Sequence, residues 1–116
     1  MKPWSEYKVS IEEIHHTEKK DAPSGTAITL AQDILPHTDK NTWSLNHTTP
    51  DAVEIKSRRE ADVKGTHSVA FTSKIDTITI NHQAHSREGF AMGAIIAAEF
   101  LIDKKGIFNM KDVLGL

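Results

Sequence analysis

The fold is decided by residues 7–27, which read YKVSIEEIHHTEKKDAPSGTA. Apolar and polar side chains alternate from Tyr7 to Ile11, and a period of two is typical of a strand with one buried face. His15 and His16 follow at the end of this pattern. The sequence therefore predicts a half-buried strand that delivers two imidazole side chains at its end.

The same stretch then predicts the start of a helix. Residues 21–26 read DAPSGT and combine N-cap residue types with a proline and a glycine. Apolar residues recur at helical spacing from Ala27 until Pro36, and a proline at that point ends a helix. We therefore expect a helix from about Ser24 to Leu35.

The next part of the chain reads as a loop followed by strands. Residues 36–51 are polar and aperiodic, which indicates a surface excursion. Three alternating patterns follow, and the last two predict an antiparallel hairpin. Their face-sharing residues are Val53 and Ile55, then His67, Val69 and Phe71, then Ile78, Ile80 and His82. Between Lys56 and Thr66, the charged runs at 58–60 and 62–64 interrupt the alternation and indicate another loop or a short irregular crossover.

The last apolar segment predicts a second main helix, from after Ser86 to Gly106. Its apolar residues between Phe90 and Ile102 run nearly all the way round, so more than one of its faces must be covered. We expect another subunit or a further domain to cover it. The predicted fold class is α+β, with a mixed, largely antiparallel sheet of about four strands and two main flanking helices. Residues 1–116 are expected to form a single domain.

Composition narrows the class of protein. The 116 residues carry 14 Lys plus Arg against 16 Asp plus Glu, a formal charge of -2, which argues against a polybasic nucleic-acid-binding arm. No cysteine is present, which excludes disulfides, thiolate catalysis and zinc ribbons. The longest apolar stretch falls short of the roughly 20 residues of a membrane helix, and the first residues do not resemble a signal peptide. We therefore expect a soluble cytoplasmic domain without nucleic-acid or membrane partners.

The segment around the start of the first helix concentrates groups that bind an anion. The first turn of a helix offers unpaired backbone N–H groups and the positive end of its dipole, so Gly25 and Thr26 are candidates to hold a small carboxylate. Lys19 adds a flexible positive charge. A histidine has an ordinary pKa of ~6.5, which suits general acid catalysis near neutrality. His15 and His16 point to opposite faces of an extended strand, so we expect one to donate a proton and the other to bind.

Two other interpretations of these residues remain open. In the first, Ser24 only caps the helix, Lys19 is solvated and the histidines merely end a strand. In the second, histidines converge on zinc, but no HExxH spacing is present, and we expect no metal. The histidines concerned are His15, His16, His67, His82 and His85. The glycines form neither GxGxxG nor a P-loop, so no dinucleotide-binding turn is recognisable.

Four groups of residues resemble one known family. They read ExHHxxKxDAPSGTA at 13–27, SxR at 57–59 with GxHxV at 65–69, HxAxSRxxFAxGA at 82–94, and MxDVLGL at 110–116. The pattern resembles the C-terminal, substrate-binding part of the dihydrodipicolinate reductases (4-hydroxy-tetrahydrodipicolinate reductases), the NAD(P)H-dependent enzymes of diaminopimelate and lysine biosynthesis. The resemblance covers nearly the whole chain.

The resemblance implies a function and roles for particular residues. The family reduces a cyclic dicarboxylate to tetrahydrodipicolinate, and its strands also build a homotetramer. His15 would donate a proton during reduction, and Lys19 would act as a second donor or charge stabiliser. The substrate-binding residues implied are His16, Ser24, Gly25 and Thr26, while Arg87 and Phe90 match positions near the nicotinamide.

The family's N-terminal Rossmann domain has no counterpart in this sequence. NADH or NADPH is the cofactor implied for the full-length enzyme, and we expect none to bind this chain, which should not turn over alone. By the resemblance, the last helix and the C-terminal tail would pack on the missing nucleotide-binding domain. The alternatives are a non-catalytic oligomerisation module and a zinc-binding domain.

Overall fold

The computed structural model describes residues 3–116. Five strands and three α-helices form this part of the chain, with a short 3-10 helix directly after the first α-helix. The strands are β1 (Lys8–His15), β2 (Thr42–Leu45), β3 (Ala52–Arg59), β4 (Thr66–Thr72) and β5 (Thr77–Gln83). The helices are α1 (Gly25–Ile34), the 3-10 helix (Leu35–His37), α2 (Glu88–Leu101) and α3 (Met110–Leu114).

The strands form one sheet in the order β2-β3-β1-β4-β5. β3 pairs in parallel with both β1 and β2, whereas β4 pairs antiparallel with both β1 and β5. The α+β class and the mixed sheet predicted from the sequence are confirmed. The sheet has five strands rather than about four, and its parallel pairings equal its antiparallel pairings in number.

The additional strand is β2, which lies in the segment predicted to be a surface excursion. It has only four residues, and its two apolar side chains, Trp43 and Leu45, are too few to establish a period. Pairing with β3 places them opposite Val53 and Ile55. A strand this short depends on packing against its neighbour more than on its own sequence pattern.

The hydrophobic core lies between the sheet and α1. Ile11, Val53 and Ile55 are fully buried in this core, as are Ala27 and Ala31 of α1. The small alanine side chains let the helix approach the strands closely. Burying a Val or Ile side chain contributes roughly 1.5–3 kcal/mol, so this cluster fixes α1 against β1 and β3.

The first predicted helix is confirmed, with Ser24 as its N-cap. The Ser24 hydroxyl accepts a hydrogen bond from the Ala27 N–H at 3.2 Å, which satisfies one of the N–H groups that a helix leaves unpaired in its first turn. The α-helix ends at Ile34, and Pro36 lies inside the 3-10 helix that follows. The predicted end at Leu35 is therefore correct to one residue.

The chain divides into two compact units, with the division between Ala84 and His85. The first unit holds the sheet and α1, and the second holds α2 and α3. Within the second unit, Asn109 caps α3 by accepting hydrogen bonds from the N–H groups of Lys111 and Asp112.

The second main helix is shorter than predicted. It ends at Leu101 rather than at Gly106, because Ile102 (ψ 128°) and Asp103 (φ 61°) leave the helical conformation. At the other end, Ser86 does not occupy the N-cap position, although its Oγ accepts a hydrogen bond from the Glu88 N–H at 3.3 Å. Lys104 and Lys105, which the predicted helix would have contained, therefore lie beyond its end.

The apolar side chains of α2 are largely exposed. Phe90 and Met92 are each 57% exposed, and Ile95 is 53% exposed. The idea that a partner covers this helix therefore stays a prediction. Within residues 3–116, no helix combines the length and the apolar character needed to cross a membrane.

Candidate anion site at the start of the first helix

The face of the sheet that carries the core turns polar toward the carboxyl ends of β1 and β3. Alternate residues of a strand share one face, so the strand register places the polar side chains in rows. The rows are Ile11 with Ile55, then Glu13 with Ser57 and with His67 of β4, then His15 with Arg59. The carboxyl ends of parallel strands are where open sheets commonly bind ligands.

Glu13 is the centre of this polar group, and its side chain is fully buried. Its Oε1 accepts hydrogen bonds from Ser57 Oγ at 2.7 Å and from the Ser24 N–H at 3.3 Å. Arg59 Nη1 donates to both carboxylate oxygens at 3.0 Å, and His15 Nδ1 contacts Oε2. A buried carboxylate with this many partners is held in one orientation.

The surroundings of Glu13 hold its pKa below the ordinary value of 4.5. Burial by itself raises the pKa, because it penalises the charged form. The hydrogen bonds from Ser57, His15 and Arg59 outweigh burial, because each stabilises the carboxylate. Glu13 is therefore ionised at neutral pH.

His15 is the imidazole that the fold brings into this group. Its side chain is 13% exposed, its Nδ1 contacts Glu13, and its ring lies edge-on to His67 at 5.0 Å between centroids. His16 lies beyond the end of β1 and is half-buried. Its carbonyl accepts a hydrogen bond from the Lys19 N–H at 3.2 Å, which closes a turn. The two histidines therefore occupy different surroundings, as expected for separate roles.

Lys19 lies in the loop that joins β1 to α1. Its Nζ is 3.0 Å from Asp21 Oδ1, and its side chain is 23% exposed. The hydrogen bond from Lys19 lowers the pKa of the Asp21 carboxyl. Arg59 holds this loop by two hydrogen bonds. Its Nε donates to the Lys19 carbonyl at 3.2 Å, and its Nη2 donates to the Asp21 carbonyl at 2.6 Å. The loop that carries the lysine is thus tied to the buried carboxylate through one guanidinium.

Ser24, Gly25 and Thr26 lie in different surroundings. Ser24 is only 3% exposed, and its Oγ contacts both the Ala27 N–H and His67 Nε2, the latter at 2.9 Å. Gly25 and Thr26 are exposed, and no described residue accepts a hydrogen bond from their backbone N–H groups. A Cβ added at Gly25 would meet no protein atom within 4 Å. The helix start therefore presents two free amides to open space.

His67 completes the group from β4. Its pKa is lowered from the ordinary value of 6.5, first because burial penalises the imidazolium and then because His15 lies beside it. Glu13 acts in the opposite direction but does not cancel these effects. His67 is therefore a neutral ring at neutral pH, and it serves Ser24 as a hydrogen-bond partner.

Three members of this group were not singled out from the sequence for any role, namely Glu13, Ser57 and Arg59, and His67 was considered only as a possible zinc ligand. The loop predicted between Lys56 and Thr66 is present but shorter than expected, because β3 continues to Arg59 and β4 begins at Thr66. Two charged residues in succession hid the alternation that places Ser57 and Arg59 on the core face. The equal spacing of Glu13 with His15 and of Ser57 with Arg59 is the signal that identifies them once β1 and β3 are known to pair.

Arg87 and Phe90, the residues matched to positions near a nicotinamide, lie in the second unit. Arg87 occupies the N-cap position of α2 without a capping side-chain hydrogen bond. Phe90 is on the first turn of that helix and is 57% exposed. Their assignment stays a prediction.

Glu13, His15 and His67 also bring potential metal ligands together, with one ligand atom from each within 4.8 Å of the others. The group suits a cation poorly. Arg59 already donates to both carboxylate oxygens, and His67 Nε2 is engaged by Ser24. A metal ion would have to displace a guanidinium of like charge, so the surroundings favour the hydrogen-bonded arrangement over a zinc site.

Together, the mixed sheet, the unpaired amides at the start of α1 and the polar group around Glu13 define an α+β domain with a candidate anion-binding site. Residues 1–114 match the family described as dihydrodipicolinate reductase, C-terminus. The chain belongs to this family, which confirms the resemblance noted from the sequence.

Several 4-hydroxy-tetrahydrodipicolinate reductases are similar to the chain. That of Christiangramia forsetii is 55% identical over 116 residues, which cover 99% of this chain and 48% of the relative. That of Desulfotalea psychrophila is 38% identical over 121 residues, covering 96% and 45%. That of Methanococcus vannielii is 40% identical over 119 residues, covering 96% and 44%. The chain therefore spans about half the length of these relatives.

A solved structure shares the fold. It is a dipicolinate-bound dihydrodipicolinate reductase from Paenisporosarcina sp. TG-14, which is 24% identical and superposes with a TM-score of 0.63. The superposition covers 90% of this chain and 44% of that protein. At this level of identity the likeness supports the α+β fold alone.

Proposed function

We propose that the chain is the substrate-binding and tetramerisation part of an NAD(P)H-dependent dihydrodipicolinate reductase. The whole enzyme would reduce a cyclic dicarboxylate to tetrahydrodipicolinate in the diaminopimelate and lysine pathway. Membership of the family supports the reaction class. The observation that carries the proposal for this chain is the pair of free amides at Gly25 and Thr26, which directly follow Ser24 and its contacts with Glu13 and His67.

The helix start suits one carboxylate of such a substrate. Free N–H groups at the positive end of a helix dipole bind anions without further charge. Gly25 leaves open space for a carboxylate to approach the backbone. The Ser24 hydroxyl stabilises the first turn of the helix by accepting a hydrogen bond from the Ala27 N–H. The similar protein whose structure is described as dipicolinate-bound supports a planar dicarboxylate as the ligand.

His15 and Lys19 supply charge and protons at the same place. Imidazole is the side chain whose protonation changes near neutrality, and the contact with Glu13 fixes the His15 ring. We assign to His15 the proton that the reduced substrate takes up. We assign to Lys19 a second donor or charge-stabilising role, and to His16 a contact with a substrate carboxylate.

The sequence of this chain contains no recognisable turn for the pyrophosphate of a nicotinamide dinucleotide. A pyrophosphate is normally held by a glycine-rich turn after a strand, and the sequence contains neither GxGxxG nor a P-loop. NADH or NADPH would bind the remainder of the full-length enzyme, with Arg87 and Phe90 near the nicotinamide. We expect this chain alone not to turn over, because the hydride donor would bind elsewhere in the full-length enzyme.

A second candidate function is a non-catalytic oligomerisation module. The exposed apolar side chains of α2, among them Phe90, Met92 and Ile95, favour it. The two candidates differ in one respect, because an assembly module has no reason to respond to a dicarboxylate.

Calorimetric titration with pyridine-2,6-dicarboxylate tests the proposed function. We expect wild type to bind and Lys19→Ala to bind about tenfold more weakly, since a charge-assisted contact is worth roughly 1.5 kcal/mol or more. Lys74→Ala is the matched control, because Lys74 is exposed in the β4–β5 turn at the opposite end of the sheet. Equal binding by all three proteins at millimolar ligand would remove Lys19 from the site, and no response from any of them would leave the assembly module.

A further inference from the structure

The buried carboxylate of Glu13 has no direct part in the proposed reaction. Three structural elements nevertheless converge on it. It accepts hydrogen bonds from Ser57 and Arg59 of β3 and from the backbone of Ser24 at the start of α1, and it contacts His15 of β1. A charged group with no exposure and four different partners requires a reason beyond packing, because isolated buried charges are strongly unfavourable.

The chemistry of these contacts determines where the His15 proton lies. An ionised carboxylate only accepts hydrogen bonds. The Glu13 pKa is held low by its donors, so the carboxylate stays ionised at neutral pH. The His15 nitrogen against Oε2 must then be the one that carries hydrogen, which is Nδ1.

We infer that Glu13 is a positioning residue that fixes His15 as the Nδ1–H tautomer and leaves Nε2 as the nitrogen that gains and loses the transferable proton. The inference rests on the proposed function for the use made of that proton. A second-sphere carboxylate that fixes a histidine tautomer and ring orientation is a recurring arrangement. Here the same carboxylate also binds the Ser24 N–H, so one group aligns the imidazole with the helix start.

The remaining donors explain why the carboxylate turns one oxygen toward His15. Ser57 Oγ and the Ser24 N–H both donate to Oε1. Arg59 bridges both oxygens at 3.0 Å. These three partners satisfy Oε1 and fix the carboxylate plane, and Oε2 is left to accept from His15.

Long-range proton–nitrogen NMR of the wild-type chain, at a pH where His15 is neutral, reads the tautomer directly. We expect His15 to be mainly Nδ1–H. In Glu13→Gln the side-chain oxygen is drawn to Arg59 and Ser57, so its NH₂ faces His15 and the Nε2–H tautomer should dominate. The expected change in the tautomer ratio is about tenfold or more.

Glu12→Gln is the matched control. Glu12 is the neighbouring carboxylate on the opposite face of β1, where it lies 3.7 Å from Arg58, and its replacement should leave the His15 tautomer unchanged. A purely structural role for Glu13 would alter stability in Glu13→Gln but not the tautomer.

The wild-type spectrum decides the matter even if Glu13→Gln does not fold. His15 found mainly as Nε2–H in the wild type would overturn the inference, and so would an unchanged tautomer in folded Glu13→Gln. The outcome is separate from that of the calorimetric test. A chain that shows the expected tautomers but ignores the dicarboxylate keeps this inference and loses the proposed function.

Discussion

At the scale of single residues, the site combines a buried charge, Glu13, with a half-buried neutral ring, His67. Glu13 remains ionised because its donors outweigh burial, and His67 remains neutral because burial outweighs the nearby carboxylate. Both pKa values are lower in the folded chain than their ordinary values. As the pH falls, the unfolded chain therefore binds more protons than the folded chain does, and protonation favours unfolding.

The free energy of unfolding should accordingly depend on pH in two steps. The contribution of His67 is present above pH 6.5 and is lost as the pH falls from there through its lower folded-state pKa. The contribution of Glu13 follows below pH 4.5. Urea unfolding over a pH series should show the first step disappear in His67→Gln and persist in His37→Gln, which replaces an exposed histidine. Persistence of that step in His67→Gln would contradict the assignment.

Two adjacent arginines should differ sharply in their contribution to stability. Arg59→Met leaves the buried charge of Glu13 without its guanidinium and is expected to cost about 3 kcal/mol. Arg58 is 54% exposed and pairs only with surface carboxylates, so Arg58→Met should cost less than about 1 kcal/mol. Denaturant titration of both variants measures the difference. Similar losses in the two variants would mean that the contact between Arg59 and Glu13 stabilises the fold no more than a surface ion pair does.

At the scale of the structural elements, α1 links the core to the site. Its inward alanines pack on the apolar rows of the sheet, and its first residue follows a serine that contacts both Glu13 and His67. The helix start is thus fixed by packing from one side and by hydrogen bonds from the other. The backbone N–H groups of Gly25 and Thr26 are therefore held in a fixed direction, and neither donates a hydrogen bond to a described residue.

Loss of the N-cap should weaken this element. Ser24→Ala removes the acceptor for the Ala27 N–H and the partner of His67, and we expect a loss of about 1–2 kcal/mol. Thr29→Ala, on an exposed position of the same helix, should stay within about 0.5 kcal/mol of wild type. Thermal and urea unfolding of the two variants provide the comparison. A neutral Ser24→Ala would show that the cap does not stabilise α1.

The elements that could be predicted from the sequence are the ones formed by local patterns. β1, the helix after it and the anion-binding segment are local, and their periodicity and capping residues lie within residues 7–35. The contact between Glu13 and Arg59 joins residues 46 positions apart, and it exists only because β1 and β3 pair in one register. Strand register is a property of the assembled sheet and not of either segment, so the centre of the site was not accessible from local patterns.

At the scale of the whole molecule, the predicted homotetramer is the clearest expectation beyond the site. The described chain exposes an unusual number of large apolar side chains, including Ile80 of β5 at 66% and Ile107 at 102%, and such surfaces commonly mark interaction sites. Light scattering after size exclusion, at tens of micromolar protein, should give a mass above that of one chain. A single monomeric species throughout that range would contradict self-association.

An amide NMR titration of the chain with pyridine-2,6-dicarboxylate tests most directly whether the start of α1 binds an anion. We expect saturable chemical-shift changes that are largest at the backbone N–H groups of Gly25 and Thr26. The amide of Lys74, in the distant hairpin turn, should be unaffected. If the ligand leaves both amides unmoved at millimolar concentration, or shifts the hairpin turn instead, the start of α1 is not the anion site.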